Sequence, residues 1–401
     1  MCHRARMRWA SGLSEDPVLE NAVGEAAGVV RTQLVGEEAH LVVAFISPHH
    51  AAAYEQLPDL ISAEFPGSLF IGCSAEGVIG AGHEVEQRAA FSLTAAALPG
   101  VALRPLELVA EKLPEDREDV QAWQALVGAP ATEDLHFVLL VDPVTFDAAA
   151  LVEGLDAAYP RSCKIGGLSS GGTRERTGSL FLQSRLRRSG AVGVALSGNI
   201  AVEAIVAQGC RPIGTPRIIT QCQGNVVLEL DGRPPLLVVR ELYEKLPERD
   251  RKLLQTSLFA GLEMKSGEVQ FRPGNLLARN IIGLDPQVGA IAIGAVPNQW
   301  QVMQFLLRDA QTATEDLTRL LDLRRGSPMP SGALLFSCLG RGIHLFGEAD
   351  HDTKLFREKL GPVPLGGFFC NGEIGPVGAS TFLHGYTSAF ALFREAHPPV
   401  R

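Results

Sequence analysis

Three glycine-rich turns hold the residues of this chain best equipped for chemistry. The first reads Gly72-Cys73-Ser74-Ala75-Glu76-Gly77, and the second Gly166-Gly167-Leu168-Ser169-Ser170-Gly171-Gly172. The third is Gly366-Gly367-Phe368-Phe369-Cys370-Asn371-Gly372-Glu373, with His384 downstream. A glycine after a strand lets backbone N–H groups approach a ligand without a Cβ in the way. Successive N–H groups in a turn form a nest for a carboxylate or phosphate. Ser74, Ser169 and Ser170 add hydroxyls, Asn371 offers both halves of an amide, and the Glu373 carboxylate suits an ammonium. Together these groups fit a zwitterion such as an amino acid. Tight turns select the same residue types, so simple closure of turns between packed strands is the competing reading.

Catalysis finds less support. Cys73 with His83, His384 or Glu373 would make a thiol nucleophile and base, but the turn lacks a G-x-S-x-G elbow, and Cys338 and Cys370 are equal candidates. His49-His50 has no metal spacing, because adjacent side chains diverge, and it reads as a solvated helix start. Asp350-His351-Asp352 reads as helix capping. The Gly166–Gly172 run lacks the Lys-Ser/Thr of a Walker loop. No catalytic residue, metal or cofactor is expected.

The elements that carry these turns recur along the chain. His40–Pro48 and His136–Pro143 are apolar runs that stop at Ser47-Pro48 and Asp142-Pro143, as buried strands entering turns do. Ala-rich helical segments follow over residues 51–65 and 147–159, the second capped by Asp147. After each glycine turn come two apolar runs, 89–98 with 101–108 and 190–196 with 200–208, whose turns Pro99-Gly100 and Ser197-Gly198-Asn199 predict hairpins. A looser third copy holds Leu334–Cys338, a helix over 353–360, the Gly366–Gly375 passage and a strand over 384–393. Between them lie a helix over 234–246 and strands near Gln270 and Ile291. A long helix is predicted over 298–325, with Trp300, Met303, Leu306, Leu307 and Ala310 as its core stripe and a Thr312/Glu315 capping box. The fold class is α+β: mixed β-sheets with packed helices, built from repeated β-α-β-β-β units in two domains. The expected boundaries are a leading segment with an amphipathic helix over 1–39, one domain over 40–219 containing two repeats, and another over 220–396.

Composition narrows the function. The chain has 401 residues and a net charge of −9, which disfavours nucleic-acid partners. Arg185, Arg187 and Arg188 form the densest basic stretch and read as a solvated turn. The longest uncharged stretch, 374–393, contains Pro376, His384 and three glycines, so no membrane span is expected. Seven scattered cysteines without a CxxC pair point to free thiols in a reducing compartment, hence the cytoplasm.

Several of these passages resemble the FIST (F-box and intracellular signal transduction) family. They are Phe45-Ile46-Ser47, Ile71-Gly72-Cys73-Ser74-Ala75-Glu76-Gly77, and the run from Gly224 through Asp231-Gly232-Arg233-Pro234. Most specific is Asn371-Gly372-Glu373-Ile374-Gly375-Pro376 with the trailing His384-Gly385-Tyr386. The resemblance spans about 41–393 and implies an N-terminal and a C-terminal FIST domain. It implies a sensory signal-transduction protein that binds a small ligand, an amino acid among the candidates, and acts through a partner protein. The alternatives are an interaction scaffold without a ligand and a cysteine-dependent enzyme. On this reading the ligand-binding set is Gly72, Cys73, Ser74, Glu76, Gly166, Gly167, Ser169, Ser170, Asn371, Glu373 and His384.

Overall fold

The computed structural model describes residues 6–130, 133–172, 178–264 and 276–397. The chain opens with β1 (Arg8–Ser14), α1 (Leu19–Leu34), β2 (Leu41–Ile46), α2 (Leu57–Glu64), β3 (Leu69–Ser74), β4 (Gly77–Gly80), β5 (His83–Glu86) and β6 (Phe91–Ala97). The same succession follows in β7 (Val101–Leu108), α3 (Val120–Val127), β8 (His136–Val141), α4 (Ala148–Ala158), β9 (Lys164–Leu168), β10 (Leu180–Leu182), β11 (Arg185–Arg187) and β12 (Ala191–Gly198). A third succession starts with β13 (Ala201–Gln208). It is interrupted by β14 (Cys210–Pro212), β15 (Arg217–Gln223), β16 (Val226–Leu230), α5 (Pro235–Lys245), α6 (Glu248–Ser257), β17 (Leu258–Glu263), β18 (Leu276–Asp285), β19 (Ala290–Ile293) and β20 (Val302–Arg308). It resumes with α7 (Ala310–Asp322), β21 (Gly332–Cys338), α8 (Gly342–Phe346), α9 (His351–Leu360), β22 (Leu365–Cys370), β23 (Glu373–Val377), β24 (Ser380–His384) and β25 (Thr387–Arg394).

The chain forms two compact units, 1–206 with 320–383 and 387–401, and 207–319 with 384–386. The first holds three six-stranded mixed sheets of one pattern: β1-β6-β2-β3-β10-β11, β7-β12-β8-β9-β23-β24, and β13-β25-β21-β22-β4-β5. Each takes four strands from its own stretch of chain and ends on a hairpin lent by another. The first sheet borrows from the second stretch, the second from the third, and the third from the first.

Central strands β2 (LVVAFI) and β3 (LFIGCS) are buried at every position, the continuous pattern of parallel strands covered on both faces. β2 runs parallel to β3, β8 to β9 and β21 to β22. On one face Val43, Phe45, Val138, Leu140, Leu334 and Phe336 join a shared core, where Phe45 stacks on Phe368 at 4.7 Å. The opposite face of β2 packs under α1, whose Ala22, Val23, Ala26 and Val30 recur at helical spacing. Likewise α4, capped by Asp147 accepting the Ala150 N–H at 3.0 Å, sets Leu151 and Leu155 against Phe137 and Leu139.

Glycine is required where these parallel pairs are tightest. A Cβ at Gly166 would overlap the Leu139 carbonyl oxygen, and one at Gly367 the Leu335 carbonyl oxygen. These glycines therefore close the sheets before they serve anything else.

The second unit is a barrel. The order β20-β15-β16-β19-β18-β17 is closed by pairing of β17 with β20, and β14 adds to β20. Its interior holds Ile219, Val227, Leu262, Ile293, Met303 and Leu307.

The structure corrects several expectations. The predicted hairpins are not hairpins: β6 and β7 lie in different sheets, as do β12 and β13. Their turns pass the chain from sheet to sheet, which turn chemistry alone does not distinguish from reversal within one. Each succession accordingly starts at β1, β7 or β13, so the strand and helix of 1–39 belong to the first sheet. The helix over 298–325 is instead β20 followed by α7. Residues 303–308 are buried at every position of a barrel strand, and a short run without polar alternation carries no period with which to choose. Trp300 is 67% exposed, not core. Asp309 receives the Thr312 N–H at 2.9 Å, so it replaces the Thr312/Glu315 box as the polar start of α7. Gln270 lies outside the described residues.

Gly166→Ala and Gly367→Ala are expected to lose at least about 3 kcal/mol or fail to fold, because the obstacle is backbone. Gly24→Ala in α1, where a Cβ meets nothing within 4 Å, is expected to gain about 0.5–1 kcal/mol. Urea denaturation of the three variants checks both signs.

Candidate functional site

The three glycine turns leave the central sheets and meet. Ser74 O accepts the N–H groups of Ser170 and Gly171, each at 3.3 Å. Ser170 Oγ donates to Phe369 O and accepts the Glu76 N–H at 3.0 Å. Asn371 donates its backbone N–H to Leu168 O at 3.1 Å and its side-chain amide to Ser169 O at 2.9 Å. Gly372 O accepts the Leu168 N–H at 2.8 Å. Ser74 Oγ accepts the Ser179 N–H at 2.9 Å. Residues from all three sheets are thus tied at one junction by direct hydrogen bonds.

Most donors that the sequence offered to a ligand are consumed in this tie. Gly72, Cys73, Ser74, Gly166, Gly167, Ser169 and Ser170 are buried. Glu373 is fully buried, and its carboxylate accepts the Thr387 N–H at 3.1 Å and hydroxyl at 2.7 Å, so it braces β23 against β25 from within. His384 groups with the second compact unit. What faces solvent is Glu76, Asn371 and, in part, the Gly171–Gly172 backbone. Glu76 forms no side-chain hydrogen bond or ion pair among the described residues. Arg188 also belongs here, although its charge run reads as a solvated turn in the sequence. It donates to Ser179 Oγ at 3.3 Å and lies 3.4 Å from Glu55. Its signal was the charge run 185–188, whose other members pair with Glu107.

Cys73 and Cys370 are poorly placed to act as nucleophiles. Complete burial pushes both Cys73 and Cys370 well above the ordinary thiol value, the opposite of what activation requires. His50, expected at a solvated helix start, is 3% exposed, and burial lowers its pKa. Among the described residues no three His, Cys, Asp or Glu side chains are placed to hold a metal ion, and no described helix is long and apolar enough to cross a membrane.

A second polar centre lies where the β4–β5 hairpin docks on the third sheet. Arg341, fully buried, grips Asp352 through Nε and Nη2 at 2.8 and 2.9 Å. Ser388 donates to the same carboxylate, and His351 lies 2.9 Å from it. Asp350 accepts the Glu84 N–H at 2.6 Å and lies 3.2 Å from His83. Glu84 in turn accepts the Thr353 N–H at 2.9 Å. Asp350 makes no side-chain cap bond to α9, so the capping explanation of residues 350–352 gives way to hairpin anchoring. Burial, then the neighbouring Asp352 charge, pushes Glu84 up to about 8. Burial acts to raise Asp352 as well, but the Arg341 guanidinium and the surrounding hydrogen bonds outweigh it and hold that carboxyl well below the usual range.

Comparison with known proteins decides the family. The FIST N domain is matched over residues 40–233 and the FIST C domain over residues 235–376. This chain belongs to the FIST family. An uncharacterized protein of Mycobacterium tuberculosis is 36% identical over 393 residues, covering 96% of this chain and 100% of its own. One of Mycobacterium bovis is 37% identical over 397 residues, covering 96% and 99%. An F-box/LRR-repeat protein of Arabidopsis thaliana is 31% identical over 110 residues, 24% of this chain and 21% of its own. The family resemblance read from the motifs is therefore correct, and both FIST domains contribute to the junction: Ser74 and Ser170 fall in the first match, Asn371 and Glu373 in the second.

The FIST-chain hairpin anchor has a pH signature. Unfolded, Glu84 titrates near 4.5. Between that value and about 8 the folded chain keeps a proton that the unfolded chain has released, so stability falls as pH rises through this window. Glu84→Gln removes that slope. Its stability relative to the native chain is expected to climb from pH 5 to pH 8 and then level off, as measured by urea denaturation across the series. Curves that stay parallel would contradict the assignment.

Proposed function

We propose that this FIST protein is a cytoplasmic signal-transduction module that senses a small ligand at the three-loop junction and acts through a partner protein. The observation that carries the reading is the convergence of three loops, one from each sheet, on a solvent-facing polar rim where the Glu76 carboxylate and the Asn371 amide oxygen are uncommitted. The Glu76 carboxylate and the Asn371 amide oxygen accept from an ammonium. Arg188 and the partly exposed Gly172 N–H donate to a carboxylate. That pairing makes an amino acid the ligand class of best fit. Because the loops are bonded to one another, a ligand drawing on Asn371 or Glu76 alters contacts shared by all three sheets, and a partner on any of them receives the change.

A thermal-shift panel of L-amino acids followed by calorimetric titration tests the reading. Glu76→Gln is expected to weaken a binding amino acid about tenfold or more, the scale of a hydrogen bond to a charged group. Asn371→Ala costs less, since water replaces part of a neutral amide's bonding. If no amino acid shifts the melting temperature, an interaction scaffold without a ligand becomes the better description.

A further inference from the structure

Crevices lie beside two of the borrowed turns, and they differ in their lining. On the first sheet a space of about 180 Å³ is lined by Ile61, Ser62, Ser68 and Phe70, with the Gln183–Ser184 turn at its edge. On the third sheet a larger space of about 270 Å³ is lined by Phe356, Arg357, Val363 and Leu365, with the Ala81–Gly82 turn at its edge. Much of their lining corresponds. Adding 295 converts Ile61 to Phe356, Ser62 to Arg357, Ser68 to Val363 and Phe70 to Leu365, and the same offset converts Gly72 to Gly367. Gln183 and Ala81 even share a left-handed φ of 50°. The crevice as such is therefore a product of the architecture. The third-sheet copy is larger, replaces the Ser62 hydroxyl by the Arg357 guanidinium and the Ser68 hydroxyl by the Val363 isopropyl, and adds Ser11 and Gln33.

Arg357 forms no side-chain hydrogen bond or ion pair among the described residues. The acids at the start of its helix, Asp350 and Asp352, are taken by His83 and Arg341. The polar floor is also committed. Ser11 Oγ donates to Leu365 O at 2.7 Å and accepts the Ala81 N–H at 3.0 Å, while Gln33 clamps the Ser11 backbone with two 3.0 Å bonds. One cation therefore faces apolar walls, and Gly82 leaves open space where a Cβ would stand. We propose that this crevice binds a compact monoanion, its carboxylate paired with Arg357 and its apolar body laid on Pro362, Val363 and Pro364. Guanidinium matches carboxylate bidentately, and the volume, just below the usual pocket range of about 300–1,000 Å³, admits only a compact ligand. Since the Ala81–Gly82 turn is the tip of the lent hairpin, occupancy fastens that hairpin to the third sheet. This site is separate from the junction and does not depend on its reading.

Calorimetric titration with phenylacetate and its neutral analogue phenylacetamide tests the site. Saturable phenylacetate binding is expected in the native protein. Binding about tenfold or more weaker is expected for phenylacetamide and for phenylacetate with Arg357→Ser, a substitution at an exposed position that copies the first-sheet crevice. Val363→Trp fills the space without touching the charge and is expected to abolish binding, with Arg357→Ser deciding alone if that variant does not fold. No saturable binding to the native protein, or unchanged affinity in Arg357→Ser, overturns the proposal.

Discussion

The exchange of hairpins among the three sheets is the constraint on which the first compact unit rests. In its sheet β3 is the outermost strand of its own stretch and is continued by β10, as β9 is by β23 and β22 by β4. The loan is cyclic, so no sheet can be completed before another stretch has folded far enough to supply its edge. An open edge strand exposes unpaired backbone groups, and here the loan covers one edge of each central parallel pair. The shared core of Val43, Phe45, Val138, Leu140, Leu334 and Phe336 makes the same demand in apolar surface. Both favour folding as one cooperative assembly rather than sheet by sheet.

That constraint explains where the polar groups sit. Each loan requires the chain to leave a central strand and cross to a neighbouring sheet, and the crossings begin at Ser74, Leu168 and Cys370. Residues just beyond them meet, so Ser170 and Asn371 bond across sheets that their own strands do not belong to. The docking end of the β4–β5 loan is held differently, by a buried Arg341–Asp352 pair and a raised Glu84. Breaking a buried pair of this kind is costly because it strands a charge, whereas Glu84 avoids that penalty by keeping its proton. The docking end of this loan therefore weakens as pH rises toward the raised Glu84 value of about 8.

Much of this was legible in the sequence, for reasons that can be named. Strands such as Leu41–Ile46 and His136–Val141 announce themselves as apolar runs stopped by Ser-Pro or Asp-Pro. Gly72, Gly166 and Gly367 stood out because the parallel pairs admit no Cβ there. The FIST motif around Asn371 was visible because it is locally continuous. Long-range pairing was not visible. Pro99-Gly100 is compatible with a hairpin or with passage to another sheet, and only the partners of β6 and β7 decide. Glu84 and Asp350 lie 266 positions apart, and nothing local in His83-Glu84-Val85 tells that the carboxyl is buried. Val302–Arg308 misled for the opposite reason, since a strand covered on both sides shows no alternation. Glu373 was picked for the right motif but the wrong face, its carboxylate being spent on Thr387.

The central claim is that three loops, distant in sequence, respond to a small ligand as one site. Amide hydrogen exchange followed by mass spectrometry, with and without an equimolar mixture of L-amino acids, tests it most directly. The account predicts that slowed exchange appears together in peptides covering 74–77, 168–172 and 370–373. Protection confined to one of these segments, or absent from all three, would contradict it.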